Sequence, residues 1–321
     1  MAGWRACSDP PATVIEGLPS MSGVRHDEQE VGQVEKGAVP GAVMRAVFVA
    51  AAIVTFAAVA LGSVVCATDS SAACPNWPGC YVGQIAPEAQ LNPILEFVHR
   101  VVAVSCGPLL LAAAIVGLRV KDPLVRVLPW VAFVGAMIAG VLGMLTVKVG
   151  ISKAWAAFDL GASLIALVAI TVATVCVLRY PRRWQPGATG RLAWGAVGAL
   201  FAFHICSVLV AGSGSLTRCM SWPVWRVIEA DGSAAWQWAR LVLGGVAAVL
   251  TVLVAVQGLR RRDTRVFGAV LTVLVVCEVA MGLTVVAHGA DLRVKAWYAA
   301  LAAATFCVSV WVASLASVAK R

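Results

Sequence analysis

Charge is what this sequence has least of. Only 13% of its 321 residues are Asp, Glu, Lys or Arg, while 60% are hydrophobic. A water-soluble domain keeps roughly 25% charged residues to cover its surface. Half of that leaves too little polar surface for water, so the solvent is lipid, in line with a mean hydropathy of +0.87. The chain also carries no phosphate loop, zinc signature, serine triad or nucleic-acid patch. Histidine is scarce, with four in all, so each one can be weighed by itself.

What is there in abundance is apolar runs. A spanning helix needs about 20 apolar residues, and eight runs qualify: 43–66, 93–118, 127–147, 155–178, 192–212, 236–258, 266–288 and 296–319. The net charge of +9 is distributed by side. Seventeen of the 25 basic residues fall before the first run, after every second one, or at the end, in clusters such as Arg119, Lys121 and Arg126 or Arg260, Arg261 and Arg262. Short basic loops stay cytoplasmic. The reading is therefore an all-α, multi-pass protein of the plasma (inner) membrane, with both termini cytoplasmic. Residues 1–42, rich in Pro, Gly and charges of both signs, read as a disordered cytoplasmic tail. The first run is too long for a signal-peptide core and is expected to remain as a helix.

The chain also repeats itself. Cys74, Trp77 and Pro78 after the first run are matched by Cys219, Trp222 and Pro223 after the fifth. Glu96, His99 and Arg100 opening the second are matched in place by Trp236, Ala239 and Arg240 opening the sixth. Leu145 and Thr146, then Lys153 and Trp155, are matched by Leu283 and Thr284, then Lys295 and Trp297. Three matches in one order point to two pseudo-symmetric four-helix bundles, 43–183 and 184–321. Four helices per repeat insert the same way round, so the repeat is parallel.

Glu96, His99 and Arg100 lie within five residues at membrane depth. Such groups are expensive in lipid and face a bundle interior or mark a site, and the i, i+3 spacing puts Glu96 and His99 on one face. The plainer alternative is a helix start whose charges snorkel into the headgroup zone. His26 lies in the tail and faces solvent. His204 and His288 fall at about the depth of His99, where all three would border one outer-leaflet cavity; a lone histidine of this kind more often hydrogen-bonds a neighbouring helix. Asp159 and Glu278 are the remaining acids within spans, candidates by default. Asp159 suits a proton acceptor or ion-pair partner for His99 or Arg100. Glu278 is expected to be neutral and hydrogen-bonded, since burial disfavours the charged carboxylate.

The Cys74-to-Cys80 loop with Trp77 and Pro78, followed about 20 residues later by Glu96, His99 and Arg100, resembles the heme A synthase family, as does the layout of eight helices in two halves over residues 43–319. The resemblance implies a membrane oxidoreductase that oxidises one methyl of heme o to the formyl of heme A, using a bound b-type heme. It also implies two axial histidines per half, from its second and fourth helices. Of these four positions only His99 is histidine here. Asp159 stands where the helix-four ligand falls, Ala239 replaces the helix-six ligand, and Tyr298 is the best match on helix eight. On this likeness His99 is the heme-iron ligand, with Glu96, His99 and Asp159 catalytic. Arg100 and Arg240 pair heme propionates; His204, His288 and a Tyr298 tyrosinate are reserve ligands. A single histidine with an open site suits oxygen activation.

The cysteines divide by place. Cys66, Cys106, Cys176, Cys206, Cys277 and Cys307 fall in spans and read as small apolar packing residues. Cys74 and Cys80 lie outside, where disulfides persist; the family likeness implies that they pair, and a metal site of this spacing is the alternative. Cys219 is left as a free thiol or as a partner for the first loop.

Two other readings use the same residues. One is a non-catalytic assembly or binding protein of cytochrome oxidase biogenesis, with those biogenesis proteins as partners. The other is a repurposed enzyme using Glu96, His99 and Asp159 as acid–base groups on another prenyl-tailed lipophilic substrate. Membrane lipid is a partner in each, with anionic headgroups at the basic loops. Topology is testable directly: reporter fusions at Ile85, Trp225 and Ala290 should report the outer side and one at Arg262 the cytoplasm. An outer signal at Arg262 would sink the eight-span arrangement.

Overall fold

The computed structural model describes residues 39–181, 183–211, 216–220, 234–289 and 291–319. The tail, apart from its last few residues, and His26, Trp222, Pro223 and Trp225 lie outside the described residues. Eight helices run α1 (Ala42–Ala67), α2 (Leu91–Gly117), α3 (Pro123–Val149), α4 (Lys153–Leu178), α5 (Ala188–Val210), α6 (Ala234–Arg260), α7 (Arg265–His288) and α8 (Leu292–Ala316). All eight are long and apolar enough to cross a membrane. The chain is an all-α integral membrane protein.

Several helices begin before their apolar run does, because polar caps start them. The Asp122 carboxylate accepts from the Leu124 N–H at 2.9 Å, with Pro123 at the first helical position. Ser152 accepts from the Trp155 N–H and Asp291 from that of Val294 at 2.7 Å. Each satisfies an amide that the helix leaves unpaired at its start. Apolarity alone could not show these turns.

Helix α1 packs on α2 and α4, and α2 and α4 both pack on α3; in the same way α5 meets α6 and α8, and both meet α7. Helices α1 and α4 meet α8, and α4 meets α5. Burial follows from this. The most apolar stretch of α4 is 78% buried, whereas that of α3 is 17% buried. The apolar surface left on α3 and α7 is what a bilayer covers. Helices α6 and α7 cross closely at Gly258 and Gly268, where a Cβ on Gly268 would meet the Gly258 carbonyl carbon at 2.6 Å. Small residues at such crossings let backbones approach. At the chain's end, β1 (Arg183–Trp184) pairs antiparallel with β2 (Val318–Ala319), and the Trp194 indole donates to the Ser317 hydroxyl at 3.0 Å.

The cysteines bring one correction. Cys74 and Cys80 form a disulfide, but so do Cys66 and Cys219. Cys66 is not a packing residue of a span: it lies in the last turn of α1, where the short 3-10 turn Leu216–Arg218 after α5 delivers Cys219. Cys219 is thus neither a free thiol nor bonded to the first loop. The remaining described cysteines are free, and Cys106, Cys176 and Cys307 are buried. Beside this bond Lys295 at the start of α8 pairs with Asp69 at 3.9 Å. The end of α1 is therefore fastened to α8 and to the segment after α5. A bond that closes 153 residues of chain removes much unfolded-state freedom, on the order of 2–5 kcal/mol. Cys66→Ser and Cys219→Ser should each lower the melting temperature, and to the same extent as the double change. Unequal effects would show that the two thiols act separately.

Candidate functional site

The best-defined polar arrangement is at the start of α2. Glu96 is 5% exposed and accepts from Arg100 Nε at 2.9 Å, one turn on. The other end of the guanidinium reaches the Cys74–Cys80 loop. Its Nη1 donates to the carbonyls of Asn76 at 2.6 Å and Gly79 at 3.1 Å, and its Nη2 to that of Cys74 at 2.8 Å. The loop is further fixed by its disulfide and by the Asn76 N–H on the Cys80 carbonyl at 3.1 Å. Lys148, at the end of α3, lies over the Trp77 ring. An arginine so engaged is a clamp: Glu96 sets its angle, and the loop receives its donors. The propionate role expected of Arg100 would have to compete with these bonds.

His99 lies one residue before the clamp, on a different side of α2. Its ring packs against α1, near the Ala58 backbone and directly opposite Gly62, where a Cβ would stand 3.1 Å from Cε1. Its Nδ1 is buried with no protein partner. Gly62 is therefore what gives the imidazole its place, and nothing in the small-residue sequence of α1 marks it out. Asp159 is half-buried on α4 and forms no ion pair with a described residue. Arg100, its expected partner, is taken by Glu96.

The second half is arranged differently. Ala239, in the place corresponding to His99, is exposed, as is Trp236, while Arg240 is 1% exposed. Its Nε donates to the Ser207 hydroxyl at 3.0 Å and its guanidinium lies over Phe203, 5.2 Å from the ring centroid. His204 is wedged between Phe203 and Phe306. Tyr298 and Glu278 are each 1% exposed. Both Glu278 oxygens lack a protein partner, so its expected hydrogen bond is not formed. His288 is exposed at the end of α7. His99 packs against α1 and His204 between two phenylalanine rings, each with a buried Nδ1 that has no protein partner, whereas His288 is exposed. Among the described residues no group of His, Cys, Asp and Glu is placed to hold a bare metal ion.

Residues 45–310 match the family model described as cytochrome oxidase assembly protein. The chain belongs to the heme A synthase family. It is similar to the heme A synthase of Exiguobacterium sibiricum, 25% identical over 262 residues, covering 79% of this chain and 88% of the relative. The heme A synthase of Halalkalibacterium halodurans is 23% identical over 272 residues, 80% of this chain and 91% of the relative. That of Geobacillus kaustophilus is 26% identical over 267 residues, 76% and 81% of the two chains.

Membership implies a heme-related substrate or cofactor, and the residues of the two halves can be tried against one. The first half fits a heme held by one side chain: His99 has a buried nitrogen with no protein partner, and a glycine keeps α1 clear of its ring. In the second half the position on α6 is an exposed alanine, and the histidine with a buried, unpartnered Nδ1 is His204 on α5, set between Phe203 and Phe306. In this member of the heme A synthase family the clamp has a structural consequence that can be measured. Arg100→Met removes charged hydrogen bonds worth roughly 2–3 kcal/mol each at most and strands Glu96. It should lower the melting temperature and make the Cys74–Cys80 bond easier to reduce. Unchanged reduction kinetics would show that the loop stands without Arg100.

Proposed function

We propose that this chain is a heme-modifying membrane oxidoreductase that carries out its chemistry in the first half, with His99 as the residue that would hold the heme and heme o to heme A as the reaction. The observation that carries this is the His99 ring, seated against Gly62 with a nitrogen that no protein group occupies. A heme held through His99 would supply oxygen activation there.

The protein's own residues supply position and protons. Arg100 and Glu96 tie the start of α2 to the disulfide loop, which fixes the direction of His99. The contact with α1 at Gly62 limits how far the imidazole turns. Asp159, half-buried and without an ion-pair partner among the described residues, holds or releases a proton at its carboxylate on the α4 side. The family relationship supports a heme-related substrate. A lipophilic molecule of that kind reaches the site through the bilayer.

His99→Ala should insert and fold yet lose most of its heme, or convert the optical spectrum. Gly62→Val, which pushes on the ring without removing it, should shift the spectrum and weaken binding less. Heme content and spectrum left unchanged by His99→Ala would remove the basis for this reading.

A further inference from the structure

Two side chains of the second half meet on one ring, and each has nitrogen that no protein group answers. His204 of α5 lies beside Phe203, with ring centroids 5.3 Å apart, and has Phe306 of α8 at 6.3 Å. Arg240 of α6 lies over the same Phe203 ring, 5.2 Å from its centroid. Its Nε donates to the Ser207 hydroxyl at 3.0 Å, and that hydroxyl donates in turn to the Phe203 carbonyl at 2.8 Å. His204 is 2% exposed and Arg240 1%. His204 Nδ1 and both Nη atoms of Arg240 are buried without a protein partner. His204 stands six residues before the end of α5 and Arg240 six residues after the start of α6, so each lies about 9 Å in from that end.

The repeat relates this place to the first half. Counted back from Cys74 and Cys219, Gly62 of α1 and Ser207 of α5 hold the same position, twelve residues earlier in each case. Gly62 faces His99 of α2, and Ser207 meets Arg240 of α6. In the first half the second helix therefore supplies an imidazole at this crossing. In the second half it supplies a guanidinium, and the imidazole comes from the first helix, one turn before Ser207 and on the same face.

An arginine keeps its charge at any depth, and a buried charge without a counter-ion is costly. The two bare Nη atoms call for a carboxylate, and a neutral imidazole nitrogen is a metal ligand. Among the described residues no group of His, Cys, Asp and Glu could complete the shell of a bare ion, so a metal at His204 has to bring its own ligands. A heme brings iron, carboxylates and a flat apolar body in one molecule. We propose that the second half has a heme site of its own, with His204 of α5 as the iron ligand and the Arg240 guanidinium receiving a heme carboxylate. The histidine missing from α6, where Ala239 stands, is supplied from the neighbouring helix.

The inference extends the heme reading of the first half, and heme content tells the two apart. The full-length protein titrated with hemin should hold two hemes per chain. His204→Ala and the more conservative His204→Gln should each lose one and leave the spectrum of the other, and His99→Ala should lose the other and convert the spectrum. Added imidazole should restore the lost spectrum in His204→Ala, which a residue that only packs would not allow. Arg240→Gln should weaken hemin binding at the same site about tenfold, the loss of a charge-assisted bond. A single heme that is lost with His99→Ala and kept in both His204 variants overturns the proposal and leaves the first-half reading. A single heme that is lost with His204→Ala, restored by imidazole and untouched by His99→Ala supports the proposal and overturns that reading. A protein that binds no hemin overturns both.

Discussion

A guanidinium inside a membrane protein has to be answered, and the way Arg100 is answered organises one face of this molecule. Three loop carbonyls and one carboxylate converge on it. Because those carbonyls belong to Cys74, Asn76 and Gly79, the disulfide loop cannot take its shape apart from α2. Because His99 is the residue before Arg100, its direction is fixed by the same set of bonds. The contact with Gly62 then needs only a missing Cβ. Loop, clamp and imidazole form a single cooperative unit, so a change at any of them is felt at the others.

The second half shows what the same arginine does without a carboxylate one turn earlier. Among the described residues Arg240 meets Ser207 and Phe203 in the interior. The two halves thus place their arginines differently, one on a loop and a carboxylate and one on a hydroxyl and a ring, while each leaves a buried imidazole nitrogen without a protein partner. On α6, Trp236 and Ala239 stand where α2 has Glu96 and His99, so the arginine there has no carboxylate one turn earlier.

Much of this was legible in the sequence because its physics is local or compositional. Eight spans follow from hydropathy alone, and the likeness to heme A synthases followed from a short loop and one turn of helix. The helix starts at Asp122, Ser152 and Asp291 were less legible, since capping residues are polar and fall outside an apolar window. The pairing of Cys66 with Cys219 was not legible, because nothing local joins residues so far apart in the chain. Nor was the interior place of Arg240, whose partner Ser207 sits on another helix. Gly62 was hidden for a different reason: it matters by what it lacks, and α1 has several small residues.

The two disulfides also differ in when they can form. Chains are made and inserted from the amino terminus onward, so Cys74 and Cys80 meet as soon as α1 has crossed and the loop has emerged. Cys66 has to remain reduced beside them while α2, α3, α4 and α5 are still being laid down, because Cys219 follows α5. Early closure of the small loop removes the two nearest competitors for Cys66. The long bond can therefore close only after five of the eight membrane helices have been made.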